Sequence, residues 1–299
     1  MIERIVVPLD GSLSAEAILP QVRRMLYRND SEVILVRAVN PPMVENAITV
    51  AEAELGAARE YILGQLERFE KAGVRAKFVV RIGSPVEVIL DVAEEQRATM
   101  IAMATHGATG LMRLLFGSVA EGLIRKSPIP VLLVRPSWSY EVVAPVRPEQ
   151  EPVRNILLPV DGSDLSLEAL PGVIELAELF EARIMLLRVL EEKKGMVEYR
   201  GEAEKQLQAI AKTIEKKGVE TVALIERGDP VEQILKTVHD HGIDLVAMTT
   251  HGRSGLTRAV AGSVTEQVLR RATVPLVIAR FSKGAAKKPK TLASLKSGK

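Results

Sequence analysis

The chain has 299 residues, 47% of them hydrophobic and 26% charged, a globular composition with room for two domains of ordinary size. Lys and Arg number 40 against 38 acidic residues, and the resulting formal charge of +2 gives no chain-wide electrostatic case for a nucleic-acid or membrane partner. The absence of cysteine excludes disulfides, thiolate nucleophiles and the common zinc frameworks, and fits a reducing compartment.

The first element is the β-branched run RIVVPLD from Arg4 to Asp10, and with so few residues before it no secretion signal is expected. A helix is expected from about Ser14 to Tyr27, a strand at EVILVRAV (Glu32–Val39), and a long helix ending before Gly73. The strand RAKFVVRI, a helix from Pro85, the strand ATMIAMAT, a helix from Ser118 and the strand IPVLLV at 129–134 complete the series. In SPVE (84–87) and DPVE (229–232) a capping residue, a first-turn proline and a glutamate at the third helical position mark helix starts. Short apolar runs alternating with segments of helical period predict βα units around a parallel sheet covered on both faces. No apolar run is long enough to cross a bilayer as a helix, and the expectation is a cytoplasmic protein.

The series is written twice. VPLDGS (Val7–Ser12) returns as LPVDGS (Leu158–Ser163), and the loop THGATGLMRLLFGS (Thr105–Ser118) returns as THGRSGLTRAVAGS (Thr250–Ser263). The predicted organisation is a first domain at 1–136, a proline-rich linker at 137–152 that holds Trp138, a second domain at 153–281, and a lysine-rich, disordered tail at 282–299. Each domain is expected to be Rossmann-like, with a five-stranded parallel sheet.

In an open parallel sheet ligands settle at the carboxyl ends of strands where the winding reverses, and both PLDGS and THGATG occupy strand ends. Glycines at 107, 110 and 117 permit close backbone approach, and the loop runs into a helix start whose amides suit a phosphate. A strand-end carboxylate at Asp10 or Asp161 suits a sugar hydroxyl or a base amino group. Together these residues point to a nucleotide, although the spacing matches neither the dinucleotide fingerprint nor the Walker loop.

Each signal has a structural counterpart. Ser118 with Glu121, and Ser263 with Glu266, have the spacing of a capping box, and Asp10-Gly11 and Asp161-Gly162 have the composition of turns. Arg113 and Arg258 occupy matched loop positions within reach of a phosphate role, and the favoured reading is a solvated surface arginine. A Ser-His-Asp reading of His106 and His251 with Ser118 and Asp10 is rejected because the serine lacks the G-x-S-x-G elbow of a hydrolase, and these histidines are read as pinning their loops. His239 and His241 lie two apart at a helix end and point away from each other.

The chain resembles the universal stress protein family, whose signature is G-x2-G-x9-G-[ST]. The resemblance rests on the VPLDGS and LPVDGS starts, the THG segments and the GSV helix entries, in order and at family spacing. It implies ATP as ligand, with any Mg2+ held by the phosphates. Gly107, Gly117, Ser118 and Val119 in the first half, and Gly252, Gly262, Ser263 and Val264 in the second, are placed near the triphosphate. It implies that Asp10 and Asp161 hold the nucleoside, that Pro8 and Pro159 shape the strand end, and that Val189 and its counterpart Ala38 meet adenine. The first signature glycine is replaced by Ala104 in one copy and Thr249 in the other. The resemblance further implies an intrachain pseudo-dimer through the final strands, with a protein partner and a homodimer as further assembly options. Two rival readings are a slow ATPase and a nucleotide-free interaction scaffold.

Overall fold

The computed structural model describes residues 3–26, 31–40, 47–105, 117–136, 152–167, 169–191, 200–249 and 263–279. The first half runs β1 (Arg4–Pro8), α1 (Leu13–Glu16), α2 (Leu19–Met25), β2 (Glu32–Val39), α3 (Ala47–Lys71), β3 (Ala76–Ile82), α4 (Pro85–Glu95), β4 (Met100–Ala104), α5 (Ser118–Lys126) and β5 (Val131–Val134). The second half runs β6 (Asn155–Pro159), a 3-10 turn (Asp164–Leu167), α6 (Leu170–Phe180), β7 (Arg183–Leu190), α7 (Arg200–Glu215), β8 (Thr221–Arg227), α8 (Pro230–Asp240), β9 (Leu245–Thr249), α9 (Ser263–Arg271) and β10 (Leu276–Ala279). The linker from 137 to 151, the tail from 280, Tyr27, and the loops 106–116 and 250–262 lie outside the described residues.

The strands form one ten-stranded sheet in the order β3-β2-β1-β4-β5-β10-β9-β6-β7-β8. Every neighbouring pair is parallel except β5 and β10, which run antiparallel with Leu133 opposite Leu276 and Val131 opposite Ile278. Each half is thus the expected five-stranded parallel sheet, and the two final strands join the halves. Side chains alternate across the pleat. Ile5, Val7, Val33 and Leu35 enter one apolar cluster with α2, α3, α6 and α7. Val6, Ile34, Val36 and Ile101 enter a second cluster with α4, α5, α8 and α9. Both clusters take residues from both halves, so the helices of each face share one core across the β5–β10 junction. Among the described residues no helix is long and apolar enough to cross a membrane.

A polar bridge also links the halves. The Arg24 guanidinium on α2 donates to Asp244 Oδ1 at 2.5 Å and to the Pro152 carbonyl at 3.1 Å. The other oxygen of Asp244 accepts the backbone amides of Arg154 and Asn155.

Two local expectations differ from the structure. The helix expected over 14–27 is two pieces, broken at Ala17 and Ile18. Pro20 has no N–H to pair with the Glu16 carbonyl, and its ring crowds that carbonyl. Pro171 acts in the same way on Leu167, the last residue of the 3-10 turn. Of the helix starts at Pro85 and Pro230, only that of α8 is capped by a side chain: Asp229 Oδ1 accepts the Glu232 amide at 3.0 Å, whereas Ser84 makes no such bond.

Candidate functional site

The sheet opens where its winding reverses. β1 pairs with β2 over five residues but with β4 only through Ile5 and Val6. Backbone polar groups alternate in direction along a strand. The Leu9 amide donates to Val36 of β2, and the Arg4 carbonyl accepts from Thr99, the residue just before β4. The nitrogen of Pro8 therefore faces β4 with no hydrogen to donate, and the two strands part there. The second half repeats this. The Val160 amide donates to Leu187, the Asn155 carbonyl accepts from Asp244, and β6 pairs with β9 only through Ile156 and Leu157. Pro159 stands at the parting. These are the crevices of the topological switch points.

One wall of each crevice is a tight turn. Asp10 Oδ1 accepts the Ser12 amide at 2.9 Å and the Ser12 hydroxyl at 2.5 Å. Ser12 Oγ in turn accepts the Ala15 amide and caps α1. Asp161 and Ser163 repeat the pair at 2.9 and 2.6 Å, with Ser163 Oγ accepting the Ser166 amide. Between them Gly11 and Gly162 have φ of 84° and 79°, the left-handed conformation that disfavours a side chain. The turn expected from sequence is present in both halves and fixes the carboxylate at the end of the central strand.

The start of α5 follows β4 at the same end of the first half-sheet. Gly117 is its N-cap, so Ser118 is the first helical residue and Glu121 falls one place beyond the capping-box position. The capping-box spacing is thus unused here. Gly117 has no side chain with which to cap the first turn, whose leading amides have no partner within the helix itself. The Gly117 amide donates to the Thr105 carbonyl at 2.8 Å, so the loop between them is closed at its base. Ser118 is exposed and Val119 half-buried. In the second half α9 begins at Ser263, Val264 is half-buried, and the Thr265 hydroxyl donates to the Thr249 carbonyl.

Ala38 and Val189 are half-buried at the ends of β2 and β7, where both pack against the second apolar cluster. Ala104 is buried at the end of β4, while Thr249 is partly exposed at the end of β9. The structure therefore brings Pro8, Asp10, Ala38, Ala104, Gly117, Ser118 and Val119 to the carboxyl end of one half-sheet, and Pro159, Asp161, Val189, Thr249, Ser263 and Val264 to the other. Gly107, Gly252 and Gly262, with His106, His251, Arg113 and Arg258, lie outside the described residues. His239 is exposed on the last turn of α8 beside Asp240, and His241 is the residue that ends that helix.

Sequence reasoning passed over one group beside the first crevice. Glu16, the last residue of α1, accepts from the Tyr61 hydroxyl and Gln65 Nε2 at 3.0 Å each and from Arg68 Nη1 at 3.3 Å. The signal was the spacing of 61, 65 and 68, which places all three donors on one stripe of α3.

The universal stress protein family profile matches residues 1–135 and again 152–280. A universal stress protein of Mycobacterium tuberculosis is 27% identical over 312 residues, covering 93% of this chain and 97% of its own. One from Methanocaldococcus jannaschii is 28% identical over 155 residues, covering 45% of this chain and 96% of its own. The crystal structure of a universal stress protein from Archaeoglobus fulgidus superposes with a TM-score of 0.72 at 21% identity, covering 94% of this chain and all of that one.

Proposed function

The chain belongs to the universal stress protein family, and from that premise we propose that it binds adenine nucleotide, ATP above all, in the two strand-end crevices. The observation that carries the reading is the parting of β1 from β4 at Pro8, and of β6 from β9 at Pro159, each beside a carboxylate locked in a turn. In the first half the start of α5 at Gly117 and Ser118 follows β4 at the same end of that half-sheet. The two ends of a nucleotide need these two features: hydroxyls and amino groups are held by a carboxylate, and phosphates by free amides. Asp10 and Asp161 would take the nucleoside, and the amides at Ser118–Val119 and Ser263–Val264 the phosphates, with any Mg2+ held by those phosphates.

Binding of this kind acts as a switch. ATP favours whichever arrangement of the loops and halves gives it more contacts, and a protein partner reads the shifted population. The cysteine-free composition supports a cytoplasmic setting. The test is calorimetric titration of the full chain with ATP and Mg2+. Asp10→Ala and Asp161→Ala should each abolish or weaken one class of site by about tenfold or more, and the double variant should bind nothing. Unaltered affinity in the double variant would place the nucleotide elsewhere.

A further inference from the structure

The two crevices are built alike at their floors and differently at their supports. In both halves the carboxylate is held by a serine that caps the next helical turn, and in both a proline severs that turn from the following helix. A single severed turn is too short to persist by its own hydrogen bonds, so its last side chain must anchor it. In the first half that side chain is Glu16, whose two oxygens receive three donors from α3: Tyr61, Gln65 and Arg68. Arg68 Nη1 also donates to Gln65 Oε1 at 3.0 Å, so the donors are braced against each other. Gln65 is buried and the Glu16 side chain is 18% exposed.

Burial and the neighbouring Glu16 carboxylate push the Tyr61 phenol above its ordinary range, and the Asp10 charge pushes it the same way. The phenol therefore stays a proton donor under all physiological conditions, and Asp10 lies within electrostatic reach of it. A continuous chain of bonds runs from α3 through Glu16, the α1 turn and Ser12 to Asp10.

In the second half the matched positions are Leu167, Gln206, Ile210 and Thr213. Leu167 and Ile210 belong to the apolar cluster, and the Thr213 hydroxyl donates to its own helix at Ala209. The turn there is 3-10. Apolar contact holds a turn without fixing its direction, whereas a satisfied polar network fixes both.

We propose that Glu16 is a positioning residue which, through Ser12, holds the Asp10 carboxylate in its binding orientation and makes the first half the tighter nucleotide site. The proposal rests on the nucleotide reading above. Its test is titration with ATP and Mg2+ of two full-length proteins, one carrying Asp161→Ala so that the first site alone reports, the other Asp10→Ala so that the second alone reports. The first is expected to bind more tightly. Glu16→Gln, and independently the nearly isosteric Tyr61→Phe, should weaken the first site by about three- to tenfold and leave the second unchanged. Equal weakening of both sites, or none at the first, would overturn the proposal while leaving nucleotide binding intact. No binding by the parent chain would overturn the nucleotide reading and this inference with it.

Discussion

At Gly122 a single missing methyl group sets the distance between two helices. A Cβ built there would stand 2.6 Å from Cγ2 of Val86, so α5 lies against α4 only because residue 122 has no side chain. Valine is stiff about χ1 and cannot swing clear. Gly122→Ala should therefore destabilise the chain by about 0.5–2 kcal/mol, the overpacking cost of about 1–3 kcal/mol less the helix-propensity gain of alanine, about 0.5–1 kcal/mol. Urea denaturation checks this, and an unchanged or raised midpoint would contradict it. The matched residue of the second half is Gln267, so the close approach belongs to one half alone. The turns of the candidate site were legible at this scale. Asp10 and Asp161 were readable as turn and ligand candidates because Asp-Gly after an apolar run has few other uses. The role of Pro8 and Pro159 was less so: a missing N–H matters only once the neighbouring strand is known, and that neighbour, β4 or β9, lies far along the chain.

The βα elements were read with few errors because buried parallel strands are continuous apolar runs and their helices carry a different period. The break between α1 and α2 was missed for a physical reason. Ala15, Ile18, Leu19, Val22 and Met25 are all buried at helical spacing, so the period continues through Pro20 although the hydrogen bonds do not. The Glu16 network was missed because its donors lie on α3, which only the fold brings alongside α1. Farther from the crevices, α8 and α9 are tied by Arg271, which forks onto both oxygens of Glu232 at 2.5 and 3.0 Å. That hydrogen bonding holds the Glu232 carboxyl below its usual 4.5. A depressed carboxyl stabilises the fold fully above the ordinary value, and the contribution is lost as pH falls through the lowered one. Both groups are exposed, so the effect is small. The melting temperature of the parent chain should exceed that of Glu232→Gln at neutral pH, and the gap should close as pH falls through the carboxylate range. A gap that stays constant with pH would show that the pair does not stabilise by charge.

Across the whole molecule the two halves form one sheet and share both cores. Val131, Leu132, Leu133, Leu276, Val277 and Ile278 at the β5–β10 junction are each at most 2% exposed, which is core packing and not a surface contact between domains. Arg24 and Asp244 add a partly buried ion pair between the halves. Heat should therefore unfold the chain in a single calorimetric transition whose van't Hoff and calorimetric enthalpies agree; two resolved transitions would mean that the halves are separate units. The repeat itself was plain in the sequence. The meeting of the final strands was expected from the family resemblance, and β5 and β10 do meet; the continuity of the cores was not legible, because neither copy alone says which helices share a face across that junction. The same continuity is what would let a ligand in one crevice bias the other half. The most direct measurement is native mass spectrometry of the freshly purified full chain with and without ATP and Mg2+. We expect one or two adenine nucleotides per chain, the first filling at the lower concentration; a bare chain at millimolar ATP would contradict nucleotide binding and leave an interaction scaffold as the reading of this fold.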